Sequence, residues 1–239
     1  MIVCLDSGNS RIKWGVHDGQ QWLAQGAIAH ADSAELAALP VNFPMPDRVM
    51  LANVAGDLAA ARIRENLAPW VALLHEVKSE TKRGDVTNLY QNPVQLGVDR
   101  WCALIGARRQ TRSACVVVMA GTATTIDTLD AEGNFLGGMI LPGSDLMLRS
   151  LARDTAGLPF ASGHYFPYPR CTDDAIVSGA IEAQAGAVER AFQRIQGNSG
   201  AACLISGGNA HRLADYLVIP HVVAQNLPLE GLRELALNN

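Results

Sequence analysis

The sequence predicts an α/β protein made of two similar halves with a cleft between them. Three observations predict it. Short apolar runs alternate with stretches of helical period, the pattern of sheets covered by helices. A three-strand meander followed by alternating helices and strands occurs twice, once from Met1 and again from Cys115. In each copy the first strand runs into a small turn. Asp6-Ser7-Gly8-Asn9-Ser10 overlays Met119-Ala120-Gly121-Thr122-Ala123, and the Asp18-Gly19 turn falls close to Glu132-Gly133. This repeat is weak in residues but consistent in layout. Ligands bind in clefts between such halves. The expected division is residues 1–110 and 111–239.

Length and composition agree. The 239 residues can bury a substantial core. Hydrophobic residues make up 49% and charged residues 18%, as in ordinary globular chains. The net charge of −4 lacks the basic excess of a nucleic-acid binder. No apolar stretch approaches the ~20 residues that span a bilayer, and Met-Ile-Val-Cys-Leu-Asp is no signal-peptide start. A cytoplasmic protein without nucleic-acid or membrane partners is expected. Cys4, Cys102, Cys115, Cys171 and Cys203 show no CxxC spacing, so reduced thiols are expected and not disulfides or a zinc site. The six histidines, His164 and His211 among them, show no ligand spacing.

In the first half, Ile2 to Leu5 is an apolar strand. Ile12, Trp14 and Val16 alternate as a second, and Trp22 to Ile28 is a third. Ser33 caps a short helix through Leu39. Arg48 to Val54 reads as a strand, Asp57 to Leu67 as a helix and Val71 to Val77 as a buried strand. Lys78 to Asp99 is polar and aperiodic, the mark of a binding loop. From Arg100 to Arg109, Trp101, Leu104 and Ile105 fall at helical spacing.

In the second half, Cys115–Met119, the Thr-rich Thr124–Leu129 and Phe135–Leu141 are strands. Asp145–Arg153 is a helix. A proline-containing loop follows, then a long Ala-rich helix over Asp173–Ile195. Ala201–Ile205 is a strand, Ser206-Gly207-Gly208-Asn209 opens a helix, Val218–Val223 is a strand and Leu229–Leu237 is a closing helix.

The first turn carries chemistry. Gly8 lets backbone N–H groups approach an anion with no Cβ in the way. Asn9 and Ser10 add donors, and Lys13 returns along the second strand as a point charge. Asp6, at a strand end, suits Mg²⁺ held through water. Gly121 to Thr125 looks like a second phosphate jaw. The Ser206–Asn209 turn is a candidate for the adenosine side or for a helix N-terminus. Asp127 is either a cleft-facing acid or a solvated strand-end carboxylate.

These turns in this order resemble the acetate and sugar kinase, Hsc70 and actin superfamily, with its duplicated ribonuclease H-like fold. The residues between them narrow the resemblance. Tyr90-Gln91-Asn92-Pro93 with Gly97-Val98-Asp99-Arg100 is similar to the substrate loop of the type III pantothenate kinases, the family that includes the Bvg accessory factor proteins. Gly137-Gly138, Pro142-Gly143 and Thr172-Asp173-Asp174-Ala175-Ile176-Val177-Ser178-Gly179 also resemble it. The resemblance runs from Met1 to about Asn209.

The resemblance implies phosphorylation of pantothenate by ATP, the first step of coenzyme A biosynthesis. It implies that Asp6, Ser7, Gly8, Asn9, Ser10, Arg11, Ile12 and Lys13 bind ATP, with Thr122 as a second contact. It assigns pantothenate to Tyr90, Gly97, Val98, Asp99, Arg100 and Thr172, and the catalytic base to Asp99. A carboxylate is what a primary alcohol needs to lose its proton as it attacks a γ-phosphate. Arg100 suits the substrate carboxylate. The resemblance also implies Mg²⁺, a monovalent cation (K⁺ or NH₄⁺) and a homodimer, for which the Asp173–Ile195 helix is the expected surface. The monovalent cation is in doubt because Met119 stands where the family has Asp, and a thioether does not replace a carboxylate for a hard cation. Two other readings stay open: another small-molecule kinase of the superfamily, and a non-catalytic regulatory protein that kept the fold.

Overall fold

The computed structural model describes residues 1–238. The chain forms two compact units, one of Met1–Gln110 together with the segment from Asn226 on, the other of Thr111–Gln225. Division by sequence at 110 assigned the closing helix to the second half. The chain instead carries it back to the first.

In the first unit, β1 (Ile2–Ser7), β2 (Arg11–His17) and β3 (Trp22–Ala29) form an antiparallel meander. A 3-10 segment, His30–Ala38, leads into the short α1 (Leu39–Asn42). Ser33 makes no cap there, since that segment begins at His30 with no side-chain cap. Next come β4 (Arg48–Asn53), α2 (Asp57–Asn66), a 3-10 segment over Ala68–Leu73 and β5 (Leu74–Glu76). The strand expected over Val71–Val77 is therefore mostly a tight helical turn, set by Pro69 near its start. A hairpin of β6 (Lys82–Arg83) and β7 (Val86–Asn88) and a 3-10 turn at Pro93–Gln95 interrupt the expected structureless loop. Helix α3 (Val98–Gln110) ends this stretch, starting two residues earlier than its apolar spacing suggests.

In the second unit, β8 (Cys115–Ala120), β9 (Ala123–Leu129) and β10 (Asn134–Pro142) repeat the meander. They are followed by α4 (Ser144–Asp154), α5 (Thr172–Gln193), β11 (Ala202–Ser206), α6 (Ala210–Ala214) and β12 (Val222–Val223). The last strand is two residues long, not the expected six, because 218–221 do not pair. Helix α7 (Leu227–Leu237) returns to the first unit.

The five strands of the first sheet run β3-β2-β1-β4-β5, and the five strands of the second unit run in the same order, β10-β9-β8-β11-β12. In each, the first strand is antiparallel to the second and parallel to the strand after the meander. The repeat suspected from two turns thus extends to five strands in each unit.

Each unit has its own core. Val3, Leu5, Ile12, Val16, Leu51, Ile63 and Trp70 pack together in the first. Val116, Val118, Ile126, Val188, Phe192 and Ile205 pack together in the second. In the first sheet each tryptophan lies against a glycine of a paired strand: a Cβ on Gly26 would meet the Trp14 ring, and one on Gly15 would meet Trp22. The face opposite the Val3, Leu5 and Ile12 core carries α3 and α7. These helices touch backbone to backbone, since a Cβ on Gly231 would overlap the Cys102 main chain and one on Gly106 the Leu227 carbonyl. Trp22 Nε1 donates to Glu230 at 2.7 Å, tying β3 to α7. That close approach explains why the closing helix belongs to the first unit.

None of the five cysteines forms a disulfide, and all but Cys171 are buried. Among the described residues, no helix is long and apolar enough to cross a membrane.

Candidate functional site

The β1–β2 turn is built by strand register. Ser7 pairs with Ile12, and the Gly8 N–H donates to the Arg11 carbonyl at 3.1 Å, which puts Asn9 and Ser10 at an exposed tip. Two further donors hold the turn from its flanks. The Val54 N–H, just past β4, donates to the Ser7 carbonyl at 2.9 Å. His30 Nε2 lies 2.7 Å from the Gly8 carbonyl. A carbonyl only accepts, so this nitrogen carries the hydrogen. Ile12 is buried in the apolar core, so only its main chain is available to a ligand.

Asp6 and Lys13 are directly paired across β1 and β2, and paired residues share a face of the sheet. Asp6 is buried, and its Oδ1 has no hydrogen-bond partner. The buried Ser7 hydroxyl also lacks one. Burial pushes the Asp6 carboxyl up to about 7; Lys13 opposes the shift and Asp99 adds to it. The electrostatic influence of Asp99 on Asp6 brings the turn and the start of α3 into one neighbourhood of the first unit.

Asp99 lies in the first turn of α3, where exposed N–H groups favour a carboxylate. Its Oδ1 accepts the Arg100 N–H at 2.8 Å. Gly97 makes room for it, since a Cβ there would lie 2.6 Å from that oxygen. Arg100 is buried, not the solvated surface cation of an ordinary helix start, and its guanidinium carbon sits 5.7 Å from the centroid of the Tyr90 ring. Tyr90 is placed by Asn88, whose Oδ1 accepts the Tyr90 N–H at 3.1 Å while its Nδ2 donates to the Pro93 carbonyl at 3.1 Å. Val98 is part of the buried core. Asp6, Lys13, Tyr90, Gly97, Val98, Asp99 and Arg100 thus all belong to the first unit. A cavity of about 500 Å³ in the same unit, lined by Arg48, Met50, His75, Lys78 and Leu235 among others, involves none of them.

The second unit holds the β8–β9 turn. The Gly121 N–H donates to the Ala123 carbonyl at 3.1 Å, with Thr122 exposed at the tip. Asn209 N–H donates to the Ala120 carbonyl at 3.0 Å, and Gly143 N–H to the Thr122 carbonyl at 2.9 Å. Met119, half-buried, pairs with Thr125 and Ser206. The Thr125 hydroxyl is buried with no partner. Asp127 lies mid-strand and is 1% exposed, so it is neither a strand-end nor a solvated carboxylate. Gly207 has φ +109°, and a Cβ there would run into the Ala120 main chain. Its glycine is required by the chain itself, and the helix that follows is only five residues long.

Thr172 opens α5 and is exposed. The two acids after it hold the preceding loop: Asp173 accepts the Ser162 N–H at 3.1 Å and Asp174 the His164 N–H at 2.8 Å. Sequence reasoning missed His30. Its signal was its place in the repeat, directly after the third strand.

Residues 2–194 match the type III pantothenate kinase family. A protein of Dechloromonas aromatica named type III pantothenate kinase is 65% identical over 239 residues, covering all of both chains. One of Aromatoleum aromaticum with the same name is 51% identical, over 99% of this chain and 98% of its own. Among solved structures, a Baf family protein from Campylobacter jejuni has a TM-score of 0.61 at 19% identity, over 99% of this chain and 98% of its own. The activator of 2-hydroxyisocaproyl-CoA dehydratase from Clostridium difficile, solved with ADPNP bound, has a TM-score of 0.57 at 13% identity, over 98% and 93%. The fold is therefore the duplicated α/β fold of actin-like and sugar-kinase proteins, and the chain belongs to the type III pantothenate kinase family.

Proposed function

We propose that this chain transfers the γ-phosphoryl group of ATP to the 4′-hydroxyl of pantothenate, the first step of coenzyme A biosynthesis. The observation that carries the proposal is the grouping of Asp6, Lys13 and Asp99: a buried acid with an unsatisfied oxygen, paired with a lysine beneath a glycine turn, and in electrostatic reach of a second carboxylate at a helix start. Asp99 accepts the hydroxyl proton as the new O–P bond forms and ADP leaves with the old one. Main-chain and side-chain groups of Asp6–Lys13 hold the phosphates, and Thr122 makes a second ATP contact. Tyr90, Gly97, Val98, Arg100 and Thr172 hold pantothenate.

Asp6 fits Mg²⁺. Its buried Oδ1 has no partner, and burial raises its pKa, so a divalent cation would satisfy both the oxygen and the charge. The ion would neutralise phosphate charge. A monovalent cation does not fit the second turn in the same way, because Met119 offers a thioether beside the Thr125 hydroxyl. Turnover is therefore proposed to proceed without K⁺ or NH₄⁺. A cytoplasmic homodimer completes the reading. Helix α5 supports it by leaving Gly179, Ala183 and Gly186 exposed along its outer side.

A coupled ADP-release assay with ATP, Mg²⁺ and pantothenate tests the reaction. The native protein is expected to release ADP only with pantothenate, and Asp99→Asn to lose roughly 10²–10⁴-fold in kcat. No pantothenate-dependent release by the native protein would overturn the kinase reading.

A further inference from the structure

The duplication makes His30 comparable with a residue of the second unit. In the first unit the last residue of β3, Ala29, pairs with Arg11, the first of β2. In the second unit the last residue of β10, Pro142, pairs with Ala123, the first of β9. The next residues, His30 and Gly143, therefore occupy the same place. Each donates to a carbonyl of the turn beside it. Gly143 does so with its main-chain N–H, to Thr122 at 2.9 Å. His30 does so with its ring Nε2, to Gly8 at 2.7 Å.

The turns differ in length, and this explains the change of donor. Four residues, Gly8 to Arg11, separate the Ser7–Ile12 pair, whereas three, Gly121 to Ala123, separate Ala120–Thr124. The shorter turn lies close enough for a main-chain donor, and no Cβ fits at Gly143, where it would come within 2.6 Å of the Thr122 carbonyl. The longer turn is reached by a side chain that extends from the strand end.

We propose that His30 is a positioning residue for nucleotide binding: its imidazole fixes the Gly8 carbonyl and so holds the N–H groups of the following tip residues in the orientation that receives the phosphates. This rests on the proposed ATP-binding role of the turn. The Asn9–Ser10 tip is exposed, and a phosphate cradle works only when its donors are set before the ligand arrives. The imidazole replaces the rigid link that Gly143 gives the other turn.

The test compares His30→Ala, His30→Phe and His30→Gln with the native protein. Gln carries a side-chain N–H of similar reach; Phe keeps the ring and loses the donor. Binding of a non-hydrolysable ATP analogue is measured by calorimetry, alongside KM for ATP and for pantothenate and the thermal unfolding midpoint. Ala and Phe are expected to weaken analogue binding and raise KM for ATP about tenfold, as for one lost hydrogen bond. KM for pantothenate is expected to stay unchanged, and Gln to recover most of the loss. Unchanged analogue binding in Ala and Phe would overturn the proposal. So would equal losses in both KM values that follow the unfolding midpoint and are not rescued by Gln. A native protein that binds the analogue but phosphorylates no pantothenate would break the proposed function alone, while the binding series still decides on His30. A native protein that binds no analogue would overturn both.

Discussion

The β1–β2 and β8–β9 turns are the same structure with different contents. Both follow the central strand of a five-strand arrangement of identical order, and both have their first-strand carbonyl held by an N–H from just beyond the parallel neighbour, Val54 in one unit and Asn209 in the other. Before the first, the penultimate residue of β1 is Asp6, an acid with an unsatisfied buried oxygen, paired with Lys13. Before the second, the penultimate residue of β8 is Met119, paired with Thr125. Scaffold and chemistry are separable: the two copies share the hydrogen-bond frame, and only the first pairs an acid with a lysine at this place.

The largest expected break of this contrast is Asp6→Asn. Turnover should fall by about 10²–10³-fold or more, since the proposed Mg²⁺ site would lose its carboxylate. The same change should stabilise the nucleotide- and metal-free protein. The Asp6 pKa is raised from 3.8 to about 7 in the folded state, so the native protein retains a proton that the unfolded chain has released. Stability should then decrease as pH rises from about 4 to 7, and the cost persists above 7. At pH 8, urea titration in EDTA should find Asp6→Asn more stable by a few kcal/mol, roughly 1.4 per pKa unit. The gap should close towards pH 4. A less stable variant at pH 8 would show that the buried carboxylate has a partner in the native protein.

Glycines sharpen the contrast next. A Cβ on Gly8 would meet only the Arg11 carbonyl at 3.6 Å, and one on Gly121 only the Ala123 carbonyl at 3.5 Å, both ordinary contacts without positive φ. Neither turn needs its glycine in order to fold. Gly8→Ala should leave the unfolding midpoint nearly unchanged while KM for ATP rises roughly tenfold or more, because the methyl group would stand where the phosphates are proposed to bind. Gly121→Ala should show the smaller kinetic effect of the two. Gly207→Ala is the control, since its positive φ and the Ala120 main chain leave no room; its loss should appear in stability. A large drop in midpoint for Gly8→Ala would place its requirement in the fold.

The smallest expected effect is that of Met119→Asp. It should leave the rate in K⁺ within about twofold and create sensitivity to the identity of the monovalent cation, which rate measurements in different chloride salts would detect.

Much of this was legible in the sequence because it depends on local pattern. Alternation at Ile12, Trp14 and Val16 sets β2, and the two turns mark the repeat. Val71–Val77 misled because its apolar content suits a strand, while Pro69 favours a tight helical turn. Asp127 read as solvated because a carboxylate is rarely buried, whereas β9 buries it. The helix after 226 gave no sign of joining the first unit, since its partners, the backbones around Cys102 and Gly106, are more than a hundred residues away in sequence. His30 was hidden for a related reason: its bond to Gly8 exists only once β3 lies beside β2.

That the cation chemistry lives on the first turn alone is tested most directly by the pantothenate-dependent rate of ADP release with Mg²⁺ held constant and K⁺ replaced by tetramethylammonium. The expected result is a rate within about twofold of that in K⁺, since Met119 offers a hard cation no charged ligand. Near-total loss of turnover without K⁺, restored by adding it back, would contradict the separation of the two turns.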